Sequence, residues 1–288
     1  MSWRTVVVRG PAKLDLKLGQ MIVRQEKTTR VNLNEMAVLL IENTAVSLTA
    51  CLLSELTARK IKVIFCDEKR NPQAELVPYY GSHDASAKVR AQITWPPFLR
   101  EQIWTEIVRE KIKNQALVLQ QRQLPQAALL QEYLGQLMPG DATNREGHAA
   151  KVYFNALFGA EFTRNRDIPV NAALNYGYSI LLSAFNREIA AAGYLTQLGL
   201  FHDNMFNPFN LASDLMEPFR PLVDRAVLQM APEKLETEEK TKLVNLLNSE
   251  VSIAGKRQYL PGAIRIYCKS IFDVLNSEES AQIQFYSL

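Results

Sequence analysis

The sequence predicts an α+β protein: a small N-terminal β-rich domain with one packed helix, followed by a larger all-α C-terminal domain. Apolar and polar residues alternate over much of the first 80 residues, which is typical of strands. From residue 97 onward the apolar residues recur at intervals of three and four, which is typical of helices. We therefore place the β-rich domain at residues 1–80, a linker at 81–96 and the helical domain at 97–288.

The N-terminal domain is predicted to begin with short strands. Residues 13–18 alternate strictly, Gly19 and Gln20 make a tight turn, and residues 21–23 return as the second strand of a hairpin. Residues 36–41 are almost wholly apolar, so this strand is expected to be buried on both faces. Residues 45–56 have helical spacing and predict the packed helix. Further strands are predicted at residues 5–8, 29–33 and 62–66.

The remainder of the chain is predicted as helices joined by turns. Residues 81–86 have the composition of a linker. Pro97 opens a long amphipathic helix, and Pro139 with Gly140 ends the next one. The predicted helices lie at residues 97–119, 125–138, 144–158, 170–191, 232–249 and 261–275.

Composition and charge limit the possible classes of protein only loosely. The 288 residues are 47% hydrophobic and 22% charged, an ordinary globular composition that can bury a sizeable core. The 33 basic and 30 acidic residues give a net charge of +3, which neither requires nor excludes nucleic acid. The excess of positive charge lies in residues 1–80, with 12 Lys/Arg against 8 Asp/Glu.

The cysteines and the hydropathy pattern favour a cytoplasmic protein. Cys51, Cys66 and Cys268 are widely separated in apolar surroundings, as expected of buried, reduced thiols rather than of a disulfide framework or a zinc motif. The N-terminus lacks the pattern of a signal peptide, and no run of about 18 apolar residues occurs. We expect a soluble, cytoplasmic protein with no membrane contact.

One stretch, residues 199–225, combines a histidine with closely spaced carboxylates. His202 is followed by Asp214 and Glu217, whose separation of three brings both carboxylates onto one face of a helix. Both could then point at one metal ion. Ser213 is a suitable N-cap for such a helix.

The same residues also allow a purely structural interpretation. Asp214 and Glu217 in a first helical turn would stabilise the helix dipole without binding a metal. Pro218 and Pro221 are expected to kink the helix or to delay its regular part. Carboxylates elsewhere in the chain must decide between capping and a metal site.

Two other segments place polar groups within helical patterns. In residues 144–154, small residues follow Glu146 and would let a ligand approach; alternatively, Asn144 caps the helix and Glu146 serves its dipole. Farther along, Asn171 and Asn175 lie four apart on one helical face. Buried amides need partners, which are either neighbouring helices or the groups of a polar site.

Four motifs occur in a set order along the chain: Arg145-Glu146-Gly, Asn171-x-x-Leu-Asn-Tyr-Gly-Tyr, Gly-Leu-Phe-His202 and Asp214-Leu-Met-Glu217-Pro-Phe-Arg-Pro. Together they resemble the CRISPR-associated integrase, the first of the Cas proteins, which inserts captured DNA fragments as new spacers. The resemblance covers essentially the whole chain, because that family also joins an N-terminal β domain to a larger helical domain. Residues 145–154 look most like the form that accompanies type II (Cas9-type) systems.

The resemblance implies specific functional residues. Carried over residue by residue, the metal triad falls on Glu146, His202 and Glu217, and these are also the implied catalytic residues. Glu217 stands where the family often has Asp. Asp214 matches a nearby acidic position that assists the site in some members of the family. Arg220, three residues after Glu217, could order that carboxylate or contact a DNA phosphate, or could form an ordinary ion pair on the helix. The implied DNA contacts are Tyr153, Asn175 and Tyr178; Lys151, five residues after Glu146 and off its helical face, is at most a phosphate contact.

The activity implied by the resemblance is that of a metal-dependent DNA endonuclease and integrase. It would join the 3′-hydroxyl ends of captured foreign DNA (prespacers) to the repeat of a CRISPR array by transesterification. This reaction builds negative charge on phosphoryl oxygens, which a divalent cation offsets. Carboxylates suit Mg²⁺ and an imidazole tilts the site toward Mn²⁺, so we expect Mg²⁺ or Mn²⁺.

The resemblance also implies partners. These are double-stranded DNA (prespacer and repeat), a second copy in a homodimer formed through the N-terminal domains, and a small ferredoxin-like second Cas protein that bridges two dimers into a heterohexamer. Cas9 and other adaptation factors are further candidates. Because captured fragments vary in sequence, contacts should be made mainly to phosphates, with a steep dependence on salt.

Two other functions remain open from the residues. In a non-catalytic DNA-binding scaffold the carboxylates would only cap helices, so Glu146→Ala would leave Mn²⁺-dependent joining unchanged. A general branched-DNA repair nuclease would cleave junctions without a repeat sequence or a partner.

Overall fold

The computed structural model of the protein describes residues 4–78, 82–276 and 282–287. The predicted end of the N-terminal domain at residue 80 lies outside the described residues. The fold class is confirmed, because a β-rich N-terminal part precedes a larger helical part.

The N-terminal part contains two four-stranded sheets. The strands are β1 Arg4–Val8, β2 Ala12–Lys17, β3 Gln20–Arg24, β4 Thr28–Asn32, β5 Met36–Ile41, β6 Val46–Leu48, β7 Lys62–Cys66 and β8 Pro72–Leu76. In the first sheet, β1, β5 and β7 are parallel and β8 pairs antiparallel with β7. In the second sheet, the order is β4-β3-β2-β6, with β6 parallel to β2.

The predicted hairpin is confirmed, although its turn lies one residue earlier than expected. Lys17 pairs with Gln20, so Leu18 and Gly19 form the two-residue loop. Both have positive φ, as a type I′ turn requires, and this twist matches that of the flanking strands.

Strand β5 is buried on both faces, as its apolar sequence predicts. Leu39 and Ile41 face the core of the N-terminal part, whereas Val38 and Leu40 belong to the core that the helices form. The first sheet is therefore shared between two hydrophobic cores.

The packed helix, α1, begins later than predicted. Residues Val46–Leu48 form strand β6 beside β2, and α1 runs over Ala50–Ala58. The Thr49 hydroxyl accepts a hydrogen bond from the Leu52 amide at 3.3 Å, which caps the helix at this point. Pairing with the sheet thus overrides the helical spacing of the first residues. Cys51 in the first turn of α1 is exposed, so the prediction that it is buried is wrong, whereas Cys66 and Cys268 are buried.

The predicted linker contains a helix, α2, at Ala85–Ile93. Gln92 anchors it: its side-chain amide donates to the carbonyls of Leu195 and Leu198 at 2.9 and 3.0 Å and accepts from the Leu195 amide at 2.9 Å. Residues 85–93 are therefore packed against the loop that leads to His202.

The helical part agrees with most predicted helices. Its helices are α3 Pro97–Gln121, α4 Gln126–Leu134, α5 Arg145–Phe158, α6 Pro169–Ala192, α7 Asn210–Leu215, α8 Arg220–Met230, α9 Thr237–Asn245 and α10 Leu260–Asn276. Helix α3 is central and packs against α4, α5 and α8. The helix predicted at 232–249 is shorter, because Glu236 with Glu239 forms a capping box at its start.

A small antiparallel sheet also lies in this part of the chain, where only helices were predicted. Its strands are β9 Glu250–Ile253, β10 Lys256–Tyr259 and β11 Tyr286–Ser287. These strands are short, so their alternation gives a weak sequence signal. No helix within the described ranges is both long and apolar enough to span a bilayer.

Candidate metal centre

The stretch 199–225 does not form one helix beginning at Ser213. It consists of α7, a 3₁₀ turn at Glu217–Phe219, and α8. Ser213 lies inside α7, where its amide donates to the Phe209 carbonyl at 2.8 Å, so the predicted N-cap is wrong. Pro218 and Pro221 account for the break, because each lacks the amide hydrogen that a continuous helix needs.

Asp214 organises the loop that carries the histidine. Its carboxylate is fully buried and accepts hydrogen bonds from the amides of Leu200, Phe201 and His202 at 2.6, 3.0 and 3.2 Å. A Cβ at Gly199 would lie 2.7 Å from this carboxylate, so glycine lets the loop close around it. Asp214 therefore fixes a loop and does not serve a first helical turn.

The same carboxylate orients His202. Nδ1 of the imidazole lies 2.5 Å from Oδ1 of Asp214, which leaves Nε2 available for a ligand. The hydrogen bond to Asp214 raises the pKa of His202 above its ordinary value, although burial opposes this effect. A carboxylate behind an imidazole is a common arrangement for a histidine that binds a metal through its other nitrogen.

Glu146 and Glu217 converge on one cation, the ammonium group of Lys111. This lysine comes from α3 and is 5% exposed. Its Nζ lies 2.5 Å from Oε2 of Glu217 and also contacts Oε1 of Glu146. Burial lowers the pKa of Lys111, but Glu217 and Glu146 outweigh burial, so the pKa lies above its ordinary value.

Glu146 is positioned at the start of α5 by a cap that the sequence did not reveal. The Asp141 carboxylate accepts from the amides of Arg145 and Glu146 at 2.8 and 3.0 Å. Asn144 has left-handed backbone geometry and makes no side-chain cap, so the alternative in which it caps the helix is wrong.

Arg220 holds Glu217 from the other side. Its Nε lies 2.8 Å from Oε1 of Glu217, and its guanidinium stacks over the ring of Tyr178 at 4.6 Å. Burial would raise the pKa of Glu217, but the positive charges of Arg220 and Lys111 outweigh it, so the pKa is lowered. Glu217 is therefore ionised although it is only 4% exposed.

Asp224 is a second buried carboxylate, and it contacts Tyr178, the residue whose ring packs against Arg220. The Tyr178 hydroxyl donates to it, and Tyr153 also interacts with it electrostatically. Burial raises the pKa of Asp224 to about 6, although Tyr178 and Arg220 favour its charged form.

The four residues expected to contact DNA fall into two groups. Tyr153 and Tyr178 are buried, with 0% and 8% exposure, and face Asp224. Lys151 and Asn175 are exposed, and Asn175 accepts a hydrogen bond from Arg164 at 2.6 Å. The structure thus places Tyr153 and Tyr178 next to the Asp224 carboxylate and leaves Lys151 and Asn175 on the surface.

Lys111 and Asp224 are the site residues that the sequence analysis missed. Lys111 lies three and four residues after Val108 and Ile107, on the apolar face of α3. A charged residue on an apolar stripe is a usable signal, since buried charges are almost always paired. No comparable pattern in the sequence around Asp224 indicated that it belongs to the site.

The donor set is compatible with a divalent metal ion. Within the described residues, no three His, Cys, Asp or Glu side chains stand together as a preformed cluster. However, Glu146 and Glu217 already share one cation, and the charge of His202 interacts with that of Glu217. Two carboxylates and one imidazole nitrogen suit Mg²⁺ or Mn²⁺, provided that the Lys111 ammonium moves aside.

Comparison with known sequences gives a consistent result. A family model described as CRISPR associated protein Cas1 matches residues 6–252. The chain is similar to the CRISPR-associated endonuclease Cas1 of Neisseria meningitidis serogroup C (strain 8013), with 38% identity over 88% of this chain and 86% of the relative. It is 28% identical to the CRISPR-associated endonuclease Cas1 1 of Francisella tularensis subsp. novicida (strain U112), over 86% of this chain and 85% of that relative.

Solved structures share the fold. A casposase bound to its integration product superposes with a TM-score of 0.77 at 20% identity, covering 97% of this chain and 92% of that one. A Cas1 protein from Thermotoga maritima gives a TM-score of 0.77 at 18% identity, with 97% and 99% coverage. A chain of a Cas6-RT-Cas1–Cas2 complex gives 0.71 at 20% identity, over 94% of this chain and 35% of that one.

Proposed function

Because the chain belongs to the Cas1 family of CRISPR-associated endonucleases, we propose that Glu146, His202 and Glu217 hold the divalent metal ion with which it cuts and joins DNA. The protein is an endonuclease and integrase of CRISPR adaptation. One observation carries the assignment of the site: two carboxylates from separate elements converge on a single cation, and the imidazole that Asp214 orients interacts electrostatically with one of them, Glu217.

The proposed reaction joins the 3′-hydroxyl end of captured DNA to a phosphodiester of the CRISPR repeat. A bound Mg²⁺ or Mn²⁺ ion would offset the negative charge that builds on the phosphoryl oxygens. The ion-binding groups are Glu146, His202 and Glu217, whose lone pairs fit a hard or borderline cation.

Asp214 and Arg220 are positioning residues in this proposal. Asp214 keeps Nδ1 of His202 protonated and thereby directs Nε2 away from itself. Arg220 restrains Glu217 through an ion pair and is itself restrained by the ring of Tyr178. Together they reduce the freedom of two ligands before DNA binds.

For DNA contact we favour the exposed pair of the four predicted residues. Lys151 can meet a phosphate, and Asn175 lies beside Arg164, which adds positive charge. Tyr153 and Tyr178 are too buried for a strand to reach without rearrangement, so we assign them to supporting Asp224 and Arg220.

The proposed assembly follows the proteins to which the chain is similar. A casposase bound to an integration product and a Cas1–Cas2 complex are among its structural neighbours. We propose a homodimer formed through the N-terminal sheets, bridged to a second dimer by the small second Cas protein, acting on prespacer and repeat DNA in the cytoplasm. Cas9 would join as an adaptation factor.

The central experiment measures Mn²⁺-dependent joining of a 3′-hydroxyl DNA end to a repeat target. Glu146→Gln keeps the shape of the side chain but removes its charge, and should reduce joining by at least about 100-fold because a metal ligand is lost. Glu161→Gln, at an exposed carboxylate in the turn after α5, is the matched control and should retain activity.

The outcome also separates the competing functions. Unchanged joining by Glu146→Gln would favour a non-catalytic scaffold and contradict the metal site. Cleavage of branched junctions by the wild type without repeat or partner, at a rate that exceeds joining, would instead favour a repair nuclease.

A further inference from the structure

We infer that Lys111 is an internal cation that occupies the metal position in the metal-free protein and is displaced when the divalent ion binds. The inference rests on the proposed function, because it takes Glu146 and Glu217 as metal ligands. It adds a positioning residue that belongs to neither the predicted triad nor its auxiliary groups.

Contacts and burial support this role. The Lys111 ammonium reaches from α3 to Glu146 on α5 and to Glu217 in the 3₁₀ turn, and so joins three separate elements. Lys111 and Glu217 are 5% and 4% exposed, so water screens their charges poorly. The Glu146 side chain is 30% exposed and Glu217 is buried; two ionised carboxylates this close repel each other unless a cation lies between them.

Lys111 and a metal ion cannot occupy the same place. Nζ lies 2.5 Å from Oε2 of Glu217, whereas a Mg²⁺ ion needs carboxylate oxygens at about 2.0–2.1 Å. An ion between the same oxygens would overlap the ammonium and repel it. The ammonium must therefore move before Glu146 and Glu217 can share a metal.

The two cations around Glu217 differ in their ability to move. Lysine carries a compact charge on a flexible four-carbon stem, so it can leave without disturbing the backbone. Arg220 has a planar guanidinium that is held by Glu217 and by the ring of Tyr178. We therefore assign the exchange to Lys111 and the fixed restraint to Arg220.

The exchange has an electrostatic consequence. Glu146, Glu217, Lys111 and Arg220 carry two negative and two positive charges, so this group is neutral without metal. When a divalent ion replaces the Lys111 ammonium, the two carboxylates, Arg220 and the ion carry a net charge of +1, and the group then attracts a DNA phosphate. Metal loading would thus convert a neutral pocket into one that favours the substrate.

A lysine with only a structural role would behave differently. Its removal would let the carboxylates separate and would weaken metal binding. Removal of a competing cation has the opposite effect, because the metal no longer has to displace it. The sign of the change in metal affinity therefore distinguishes the two roles.

The experiment is a calorimetric titration of DNA-free protein with Mn²⁺. We expect Lys111→Met to bind Mn²⁺ about tenfold more tightly than the wild type, since a nearby positive charge is lost. Lys113→Met is the matched control, because Lys113 is on the same helix, is 62% exposed and pairs with Glu110, and should show wild-type affinity. Equal or weaker binding by Lys111→Met overturns the inference.

Thermal unfolding provides a second readout. Lys111→Met should melt at a lower temperature than the wild type without metal, and Mn²⁺ should raise its melting temperature by more than it raises that of the wild type. A smaller Mn²⁺-induced rise in the variant counts against displacement.

If Lys111→Met does not fold, the wild type still tests the inference. In protein labelled with ¹⁵N at lysine, the ammonium signal of Lys111 can be assigned by its absence in Lys111→Arg. Saturating Mg²⁺ should shift or broaden this signal and leave that of Lys113 unchanged. A Lys111 signal that stays in place at saturation overturns the inference.

Two further titrations separate failure of the inference from failure of the proposed function. Glu146→Gln and Glu217→Gln should both lose Mn²⁺ affinity if the metal site is correct. Wild-type affinity in both would refute the metal site itself. Loss of affinity in both, without a gain in Lys111→Met, would refute only the role of Lys111.

Discussion

In the proposed site, His202 presents Nε2 to the metal because Asp214 holds the other side of the ring. The Asp214 carboxylate also fixes three consecutive amides at residues 200–202, so one side chain sets both the loop and the imidazole. Asp214 is therefore fully buried, because its carboxylate holds the loop and the imidazole. For the same reason we do not count it among the proposed metal ligands.

At this scale we predict that Asp214→Asn will change the pH dependence of catalysis. Asp214 raises the pKa of His202, and a protonated imidazole cannot bind a metal, so wild-type activity should fall as the pH drops through this raised pKa. In Asp214→Asn the pKa is lower and the acidic limb should move to lower pH, while maximal activity falls about 10–100-fold.

The measurement is the rate of Mn²⁺-dependent cleavage between about pH 5 and pH 8. Asp203→Asn, at an exposed aspartate next to His202, is the control and should keep the wild-type profile. An acidic limb that does not move in Asp214→Asn would show that Asp214 does not act through the imidazole.

The buried carboxylate of Asp224 should make the stability of the protein depend on pH. Burial raises its pKa from 3.8 to about 6, so the folded state binds a proton that the unfolded state releases between these values. The wild type should therefore lose stability relative to Asp224→Asn as the pH rises from about 4 to 7, by about 3 kcal/mol in total. Urea unfolding of both proteins across this range measures the difference, and a constant difference would contradict the assignment.

The motifs predicted Glu146, His202, Glu217 and Asp214 as site residues, but they did not point to Lys111. The motifs are local, whereas the contact of Lys111 with Glu146 joins residues 35 positions apart on different helices. A lysine on an apolar stripe suggests only that it has a partner and not which one.

At the scale of elements, the segment 210–230 works because it is not one helix. Pro218 and Pro221 divide it, so Asp214 points to the histidine loop while Glu217 sits in a separate 3₁₀ turn toward Lys111. A continuous helix would have placed both carboxylates on one face, as the spacing predicted. The prolines were visible in the sequence, but the direction that each piece takes depends on packing against α3 and α6.

Close contact between α6 and α8 positions this segment. A Cβ at Gly177 of α6 would collide with Cγ1 of Val223 on α8. Gly177→Ala should therefore destabilise the protein by about 1–3 kcal/mol, although alanine favours a helix by about 1 kcal/mol. Denaturant unfolding gives the change in the free energy of unfolding.

The double variant Gly177→Ala with Val223→Ala should recover part of this loss relative to the sum of the two single variants, because the collision is removed. Gly135→Ala is the control, since its Cβ would meet nothing closer than 3.5 Å and its φ is −75°. Strict additivity in the double variant would show that the two helices do not meet at these residues.

At the scale of the whole molecule, the first sheet joins the two parts of the chain. Neighbouring residues of β5 face different cores: Leu39 the N-terminal core and Leu40 the helical core. The predicted division near residue 80 therefore does not separate two independent hydrophobic cores. Lys240 adds polar contacts across this boundary, by donating to the Lys69 carbonyl and to Asn71.

We predict that the protein unfolds in one calorimetric transition and that Leu39→Ala and Leu40→Ala lower the same transition. Each substitution opens a cavity at a side chain that is at most 1% exposed, which typically costs about 2–5 kcal/mol. The two variants are matched, because they are adjacent and face opposite cores. Two separate transitions, each moved by only one variant, would show that the parts unfold independently.

The fold class, the buried central strand and the residue types of the proposed metal site could all be predicted from the order of the amino acids. These predictions depend on local periodicity, on turn residues such as Pro139, and on motifs that can be recognised without knowledge of the fold. The sequence also predicted the break near Pro218 and Pro221. Its errors lay where neighbours compete with local preference: in strand β6, in helix α2 and in the cap of α5, which Asp141 provides.

The surroundings of the proposed metal ligands became clear only from the three-dimensional packing. It placed Lys111 between Glu146 and Glu217, turned Asp214 toward His202, and buried Tyr153 and Tyr178 against Asp224. The physical reason is that charge pairing in a buried site depends on distances between side chains from separate elements. Those distances are fixed by the packing of helices and not by spacing along the chain.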